Sequence, residues 1–181
     1  MRFWFDEIEV RLVLRNIRIG GAKDEEVDLG IVPLRYAASG IKGLLKKAAI
    51  RVSNSIGSKN LTQQIFGESD LEGKIQITVD EFGNNNENKR FGIKIDPLFG
   101  SVKEKHLFSY KFLTVDYLKF KIKPLIKLSE EEAEFLFHCL NYLRYETIGG
   151  FGSRGIGLIE DVEVDERFRR FLEGKYEGLS R

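Results

Sequence analysis

Residues 149–157 read Gly-Gly-Phe-Gly-Ser-Arg-Gly-Ile-Gly, five glycines in nine positions around one arginine. A backbone this bare can bring its N–H groups close to a phosphate chain. It can also enter positive-φ conformations closed to other residues. Gly150, Gly152 and Gly155 satisfy the pattern G-x-G-x-x-G. Dinucleotide binding, however, needs strand, loop and helix in that order, so that a helix N-terminus faces the pyrophosphate. Here a helical pattern over residues 129–146 comes first, and a strand-like run over 155–164 comes after. That order excludes the cofactor reading. Two readings remain: a turn without a ligand, and a phosphate-backbone contact through Gly149, Gly150, Gly152, Ser153, Arg154 and Gly155. The glycine density and the embedded Arg154 favour the second.

The distribution of charge agrees. A formal net charge of +1 conceals a strong asymmetry. Residues 29–67 contain no acid but carry Arg35, Lys42, Lys46, Lys47, Arg51 and Lys59, in a chain that has 28 acids in all. Residues 103–127 hold seven lysines against Glu104 and Asp116. Acids gather instead at 24–28 and 130–134. Segregation of this kind predicts a basic footprint for a polyanion on one side of the molecule; the plain alternative is clustering on solvated faces. A third basic stretch, residues 83–106, is long for a connection inside a compact domain, and such connections are usually functional or disordered; the plain alternative is an ordinary hairpin packed on the domain. It sets Lys89, Arg90, Lys94, Lys103 and Lys105 among Phe91, Ile93, Ile95, Leu98 and Phe99.

These residues need a scaffold, and its rhythm is legible. Residues 3–15 alternate as a strand, and 16–33 read as a loop. Ser39 is placed to cap a helix on which Ile41, Leu44, Leu45, Ala48, Ala49 and Val52 form the apolar stripe. Lys42, Lys46 and Lys47 fall off that stripe. Residues 61–66 read as a helical turn closed by Gly67, and 74–82 as a strand. Residues 83–105 read as irregular. A long strand pattern follows over 107–123, broken near 114–116. Ser129 to Glu132 is a capping box before the stripe Ala133, Leu136, Phe137, Leu140 and Leu143. A strand over 155–164 and a short helix over 165–173 close the chain. The order β-α-β-β-α-β predicts an α+β domain of ferredoxin-like, or RNA-recognition-motif-like, type, with two helices on one antiparallel sheet. Phe108, Tyr110 and Phe112 alternate on one strand; packing under the helices is a better account of them than base stacking.

Composition bounds the rest. With 181 residues the chain is expected to be one domain, 1–181, with an insertion at about 83–106. Its 42% apolar and 31% charged content excludes a low-complexity chain. The single Cys139 excludes an internal disulfide framework and fits a reducing, cytoplasmic setting. With only two histidines, the chain has too few ligands for a structural zinc site. The alternating N-terminus reads as a strand and not a signal peptide, and no run is long enough for a membrane span.

Four segments in order carry a family resemblance: LRNIRIGG at 14–21, ASGIKGLL at 38–45, GIKIDPLFGSV with LFSYKF at 92–102 and 107–112, and the glycine loop at 149–157. Ile65-Phe66-Gly67 fits as well. Together they resemble the RAMP superfamily, the RNA-binding subunits of CRISPR effector complexes, and among these the repeated backbone subunit of type III complexes. The resemblance implies a subunit that polymerises along guide RNA beside other effector subunits and meets complementary target RNA. It implies that the segment at 83–106 projects as a thumb and wedges between nucleotides, which implicates Lys89, Arg90, Phe91, Lys94 and Phe99. Such subunits often cleave target RNA through an aspartate ahead of the first helix, with Mg²⁺ or Mn²⁺. Asp28 is the candidate here, although it lies early relative to Pro33, where Ile31 and Val32 occupy the expected place. Solvated loop acids are therefore the preferred reading of Asp24, Glu25, Glu26 and Asp28, and no cofactor is expected. The guide-processing branch often uses a histidine near the N-terminus; none precedes His106, and His138 reads as structural. The expected function is thus a CRISPR-associated RNA-binding subunit without nuclease activity. The alternatives are a metal-dependent endoribonuclease and a small-molecule-binding ferredoxin-like domain.

Overall fold

The computed structural model describes residues 5–20, 25–68 and 70–170. Phe3, Gly21, Asp24, positions 171–173 and the side chains of Lys59, Lys103, Glu104, Lys105 and His106, all named above, lie outside the described set.

Two antiparallel sheets and two main helices make an α+β architecture. Strands β1 (Ile8–Leu14), β3 (Ile75–Phe82), β6 (Tyr117–Pro124) and β7 (Ile159–Val164) form a four-stranded sheet in the order β3-β6-β1-β7. Its neighbouring strands all run antiparallel. Alternation does the sorting: Ile8, Val10, Leu12 and Leu14 of β1 and Leu118, Phe120 and Ile122 of β6 are buried on one face. Helices α1 (Ala38–Ile56) and α3 (Glu130–Tyr142) cover that face with Ile41, Leu45, Ala48, Leu136 and Leu140. A shorter helix, α2 (Lys59–Phe66), closes at Gly67. The capping box is present on α3: Ser129 accepts from the Glu132 N–H, and the Glu132 carboxylate accepts from the Ser129 N–H. Ser39 does not cap α1. That helix begins one residue earlier, behind Ala37, with no side-chain cap, and Ser39 sits in its first turn.

The second sheet has three strands, β2 (Asn16–Ile17), β5 (Val102–Thr114) and β4 (Asn86–Ile95), in the order β2-β5-β4. It continues three strands of the first sheet past a kink. β1 passes into β2 at Arg15, β3 into β4 at residues 83–85, and β5 into β6 at Val115-Asp116. Val115 donates to the Arg15 carbonyl (3.1 Å), and Gly83 to the Tyr117 carbonyl (3.0 Å), across these breaks. Residues 75–124 are therefore one long bent ribbon. Residues 83–105, expected to be irregular, are mostly regular hairpin: backbone ladders run from Asn86↔Thr114 to Ile95↔Val102. Strand alternation was obscured there because most of the β4 side chains are exposed, so no apolar face marks the period. The expected loop at 16–33 likewise contains β2, and Leu29 makes a parallel bridge to Tyr110.

Candidate nucleic-acid interface

The glycine loop is a closed structure. Ile148 donates to the Gly157 carbonyl (2.8 Å), and Thr147 bridges to Leu158, pinching the loop at its neck. Gly150 donates to the Arg18 carbonyl (2.8 Å), and Gly157 to the Asn16 carbonyl (3.1 Å) and to Asn16 Oδ1 (3.1 Å), tying both ends of the loop to β2 and its continuation. Gly152–Arg154 form one 3₁₀ turn. The glycines have local reasons. Gly149 and Gly157 take φ of 82° and 76°, and a Cβ on either would collide with the carbonyl of Arg18 or Ile148. Gly152 has no positive φ, yet a Cβ there would strike Thr147. With the N–H groups of 150 and 154–157 bonded internally, most of the loop's backbone donors are spent within the fold rather than turned to a ligand.

The loop lies on the hairpin. Ile156 and Phe151 cover Tyr110, Phe112 and Phe108, making a small second core. The three strand aromatics thus pack under the glycine loop, and not under the helices as expected from alternation. Phe151 adopts φ 67°, a left-handed conformation that a bulky residue holds only at a cost of about 1–3 kcal/mol. Its ring packs, tilted, 4.7 Å from Tyr110 and 6.2 Å from Phe108.

This packing sorts the cations. Arg154 lays its exposed guanidinium 4.8 Å from the Phe151 centroid, 5.1 Å from Phe108 and 6.0 Å from Tyr110. Gly92 of β4 makes room for it: a Cβ there would meet both Phe108 and Arg154 Nη1. Arg90, directly across from Tyr110 in the ladder, sits 4.9 Å above Phe112. Among the described residues neither arginine is paired with a carboxylate. Rings hold them in place while leaving the charge uncancelled.

The helix cations fare differently. Lys47 and Arg51 both reach Glu146 at 2.7 Å, and the Glu146 side chain is buried to 2% exposure. Lys46 donates to the Gly67 carbonyl at 2.6 Å. These three residues, expected to contact RNA, are engaged in fastening α1 to the segments after α2 and before the glycine loop. Lys42 and Lys46 line one groove together with Glu68, Asp70 and Glu72, so these two cations of the acid-free stretch share it with acids of the segment that follows.

Asp28 is fastened to β5. Its Oδ2 accepts from the Ser109 N–H (2.6 Å) and from Ser109 Oγ (3.0 Å), and these bonds, the backbone one first, hold its carboxyl below the usual aspartate range. Lys89 donates to the Glu26 carbonyl (2.7 Å), and Lys111 pairs with Glu26 and Glu87. No group of three or more His, Cys, Asp or Glu side chains among the described residues is placed to hold a metal ion. Of the hairpin residues, Phe91, Leu98 and Phe99 are widely exposed.

Sequence reading missed Arg18. It follows β2 and is only 8% exposed, with Nη2 on the Gly30 carbonyl (3.1 Å) and Cζ 4.9 Å from the Phe151 ring. An arginine closing an alternating strand just ahead of Gly20-Gly21 was the available signal.

A profile described as RAMP superfamily matches residues 17–160. Among solved structures, the chain is similar to one in a cryo-EM structure of the Type III-B Cmr-beta bound to cognate target RNA. The TM-score is 0.58 at 15% identity, over 87% of this chain. This chain spans 60% of that one, and at this identity the likeness is one of fold. No curated protein sequence matches. No helix among the described residues is long and apolar enough to cross a membrane.

Proposed function

Because the chain belongs to the RAMP superfamily, we propose that it is an RNA-binding subunit of a type III CRISPR effector complex. In this reading the four-stranded sheet with α1 and α3 is a ferredoxin-like body, and the β4-β5 hairpin is its thumb. Successive copies line a guide RNA beside other effector subunits and hold complementary target RNA without cutting it. The structural relative belongs to an assembly bound to target RNA, which supports RNA as the ligand.

The observation that carries the proposal is the pair Arg154 and Arg90. Buried or surface carboxylates cancel Lys47, Arg51, Lys111, Lys119 and Arg11. Aromatic faces, in contrast, fix Arg154 and Arg90 in an exposed position. A planar guanidinium held this way loses little further entropy on meeting a phosphate and keeps its forked donors free. Ser153, exposed beside Arg154, adds a hydroxyl. Binding should therefore be independent of sequence and dominated by counterion release. The affinity for single-stranded RNA falls with salt at a log–log slope of about −0.7 per neutralised phosphate. Arg154→Ala with Arg90→Ala flattens that slope by about two contacts' worth. A slope equal to that of the wild type places the RNA elsewhere and sinks the proposal.

A further inference from the structure

We infer that Arg18 is the floor of an anion site that receives one phosphate of the RNA backbone. The inference rests on the RNA-binding reading above but concerns a residue outside it. A buried guanidinium normally pairs with a carboxylate, because an uncompensated charge in a low-dielectric interior is expensive. Arg18 has no such partner among the described residues. Its one hydrogen bond goes to the neutral Gly30 carbonyl, and its Nε is buried with no partner. Burial also pulls its pKa below the usual arginine value. A guanidinium stays protonated in proteins, so the charge persists and the cost stands until an anion arrives.

The surroundings fit an arriving anion. Two glycines flank the guanidinium. A Cβ on Gly20 would fall directly on it, and one on Gly150 would come within 3.0 Å of Nη1. Gly20 is exposed and Gly150 half-buried, so neither of these two positions sets a side chain of its own over the guanidinium. Phe151 connects this site to the exposed face. Its ring carries Arg18 at 4.9 Å and Arg154 at 4.8 Å. One strained aromatic thus organises two guanidinia, one buried and one open, for neighbouring anionic groups. The shared chemistry is a phosphate oxyanion; a backbone phosphodiester and a free phosphate are separated by the test.

Arg18→Met removes the charge and keeps an unbranched side chain. Two measurements follow: binding of a fluorescein-labelled oligouridine across a salt series, and thermal unfolding in inorganic phosphate against chloride at matched ionic strength. The expected result is RNA affinity lower by about tenfold or more, with a slope shallower by about 0.7. In RNA-free protein the Arg18→Met midpoint in chloride equals or exceeds that of wild type, since a buried unpaired charge is gone. Stabilisation by inorganic phosphate that disappears in Arg18→Met supports an oxyanion site open to free phosphate. Loss of RNA affinity without any phosphate effect supports a site specific to the backbone. Gly150→Ala, which leaves the charge in place and crowds Nη1, weakens RNA in the same direction and guards against a folding defect in Arg18→Met. Wild-type RNA affinity and slope in both variants overturn the inference. An Arg154→Ala, Arg90→Ala protein that binds RNA like wild type defeats the broader reading instead, and the phosphate measurement then judges Arg18 alone.

Discussion

Asp28 shows how a residue's chemistry depends on what it already holds. Its carboxylate accepts two bonds from Ser109, and its own N–H meets Ser109 Oγ at 3.3 Å. The pair clips residues 25–31 to β5, and through Gly30 the clip positions the carbonyl that receives Arg18. Asn keeps an acceptor oxygen for Ser109 but is a poor metal ligand. We expect Asp28→Asn to match wild type in target binding, and neither assembled complex to cut target RNA with Mg²⁺ or Mn²⁺. Cleavage by wild type that vanishes in Asp28→Asn would assign Asp28 to catalysis. The depressed pKa adds a pH signature. The clip's contribution to stability is present above the ordinary aspartate range and is lost as pH falls through the lowered native value. The difference in unfolding midpoint between wild type and Asp28→Asn should close in that acid window. Cys139 shifts the opposite way. Desolvation pushes its thiol up to about 12. The neutral form is favoured in the fold, so its contribution is full below the ordinary thiol range and fades as pH climbs from about 9 toward 12. Iodoacetamide at pH about 8 should label Cys139 only after unfolding; rapid labelling of native protein would contradict this burial.

At the scale of elements, three cations on the basic face of α1 are engaged inside the fold. Lys47 and Arg51 stand four residues apart, one turn along the helix, so both reach the single Glu146 carboxylate. Removing both cations strands a buried charge. Because each cation is about half in water, the loss is on the order of 2 kcal/mol, less than the 3–5 kcal/mol of a fully buried pair. Lys47→Ala with Arg51→Ala should therefore lower the denaturant midpoint, and adding Glu146→Gln should recover most of it. The RNA salt slope of the triple variant should stay near that of wild type. A slope that flattens with unchanged stability would return these cations to the RNA interface. The glycine loop teaches a related lesson. Gly152→Val, an attractive probe of phosphate approach, would drive its side chain into Thr147, so its effect on RNA could not be separated from damage to the loop. Arg154 is the cleaner handle.

Across the whole molecule, the sheet face opposite the helices is a charge mosaic. Arg11 pairs with Glu163, Lys119 with Glu81, and Lys121 with Glu7, Glu9 and Asp80. Strand pairing alternates the signs, and little net field is left for a polyanion. Lys119→Ala with Lys121→Ala should thus leave RNA affinity within about twofold of wild type, since both lysine charges are already met by carboxylates and offer few counterions to release. The glycine-loop and hairpin face carries Arg154 and Arg90, neither paired with a carboxylate among the described residues, and beyond it the hairpin end exposes Leu98 (86%) and Phe99 (81%). If copies line a guide RNA as proposed, protein bound per RNA should rise stepwise with RNA length in sedimentation velocity. A constant one-to-one ratio would refute the backbone role.

Local patterns decided much of this without the fold. The stripe of α1, the capping box of α3 and the break at Val115-Asp116 were legible because helix and strand periods, caps and kinks are set by near neighbours in sequence. The alternation of Phe108, Tyr110 and Phe112 was legible too, but not what covers them, because a strand's period says nothing about which layer lies above it. The same holds for charge. Sequence counted the cations of residues 29–67 correctly, yet only tertiary structure could bring Glu146 beneath Lys47 and Arg51, line one groove with Lys42, Glu68, Asp70 and Glu72, and leave Arg154 and Arg90 on aromatic rings. Arg18 marks the limit most clearly: its burial, without a counter-charge among the described residues, arises where β2, the Gly30 loop and Phe151 converge. Coulomb energy depends on distance in space, and distance in space is what a linear pattern does not contain.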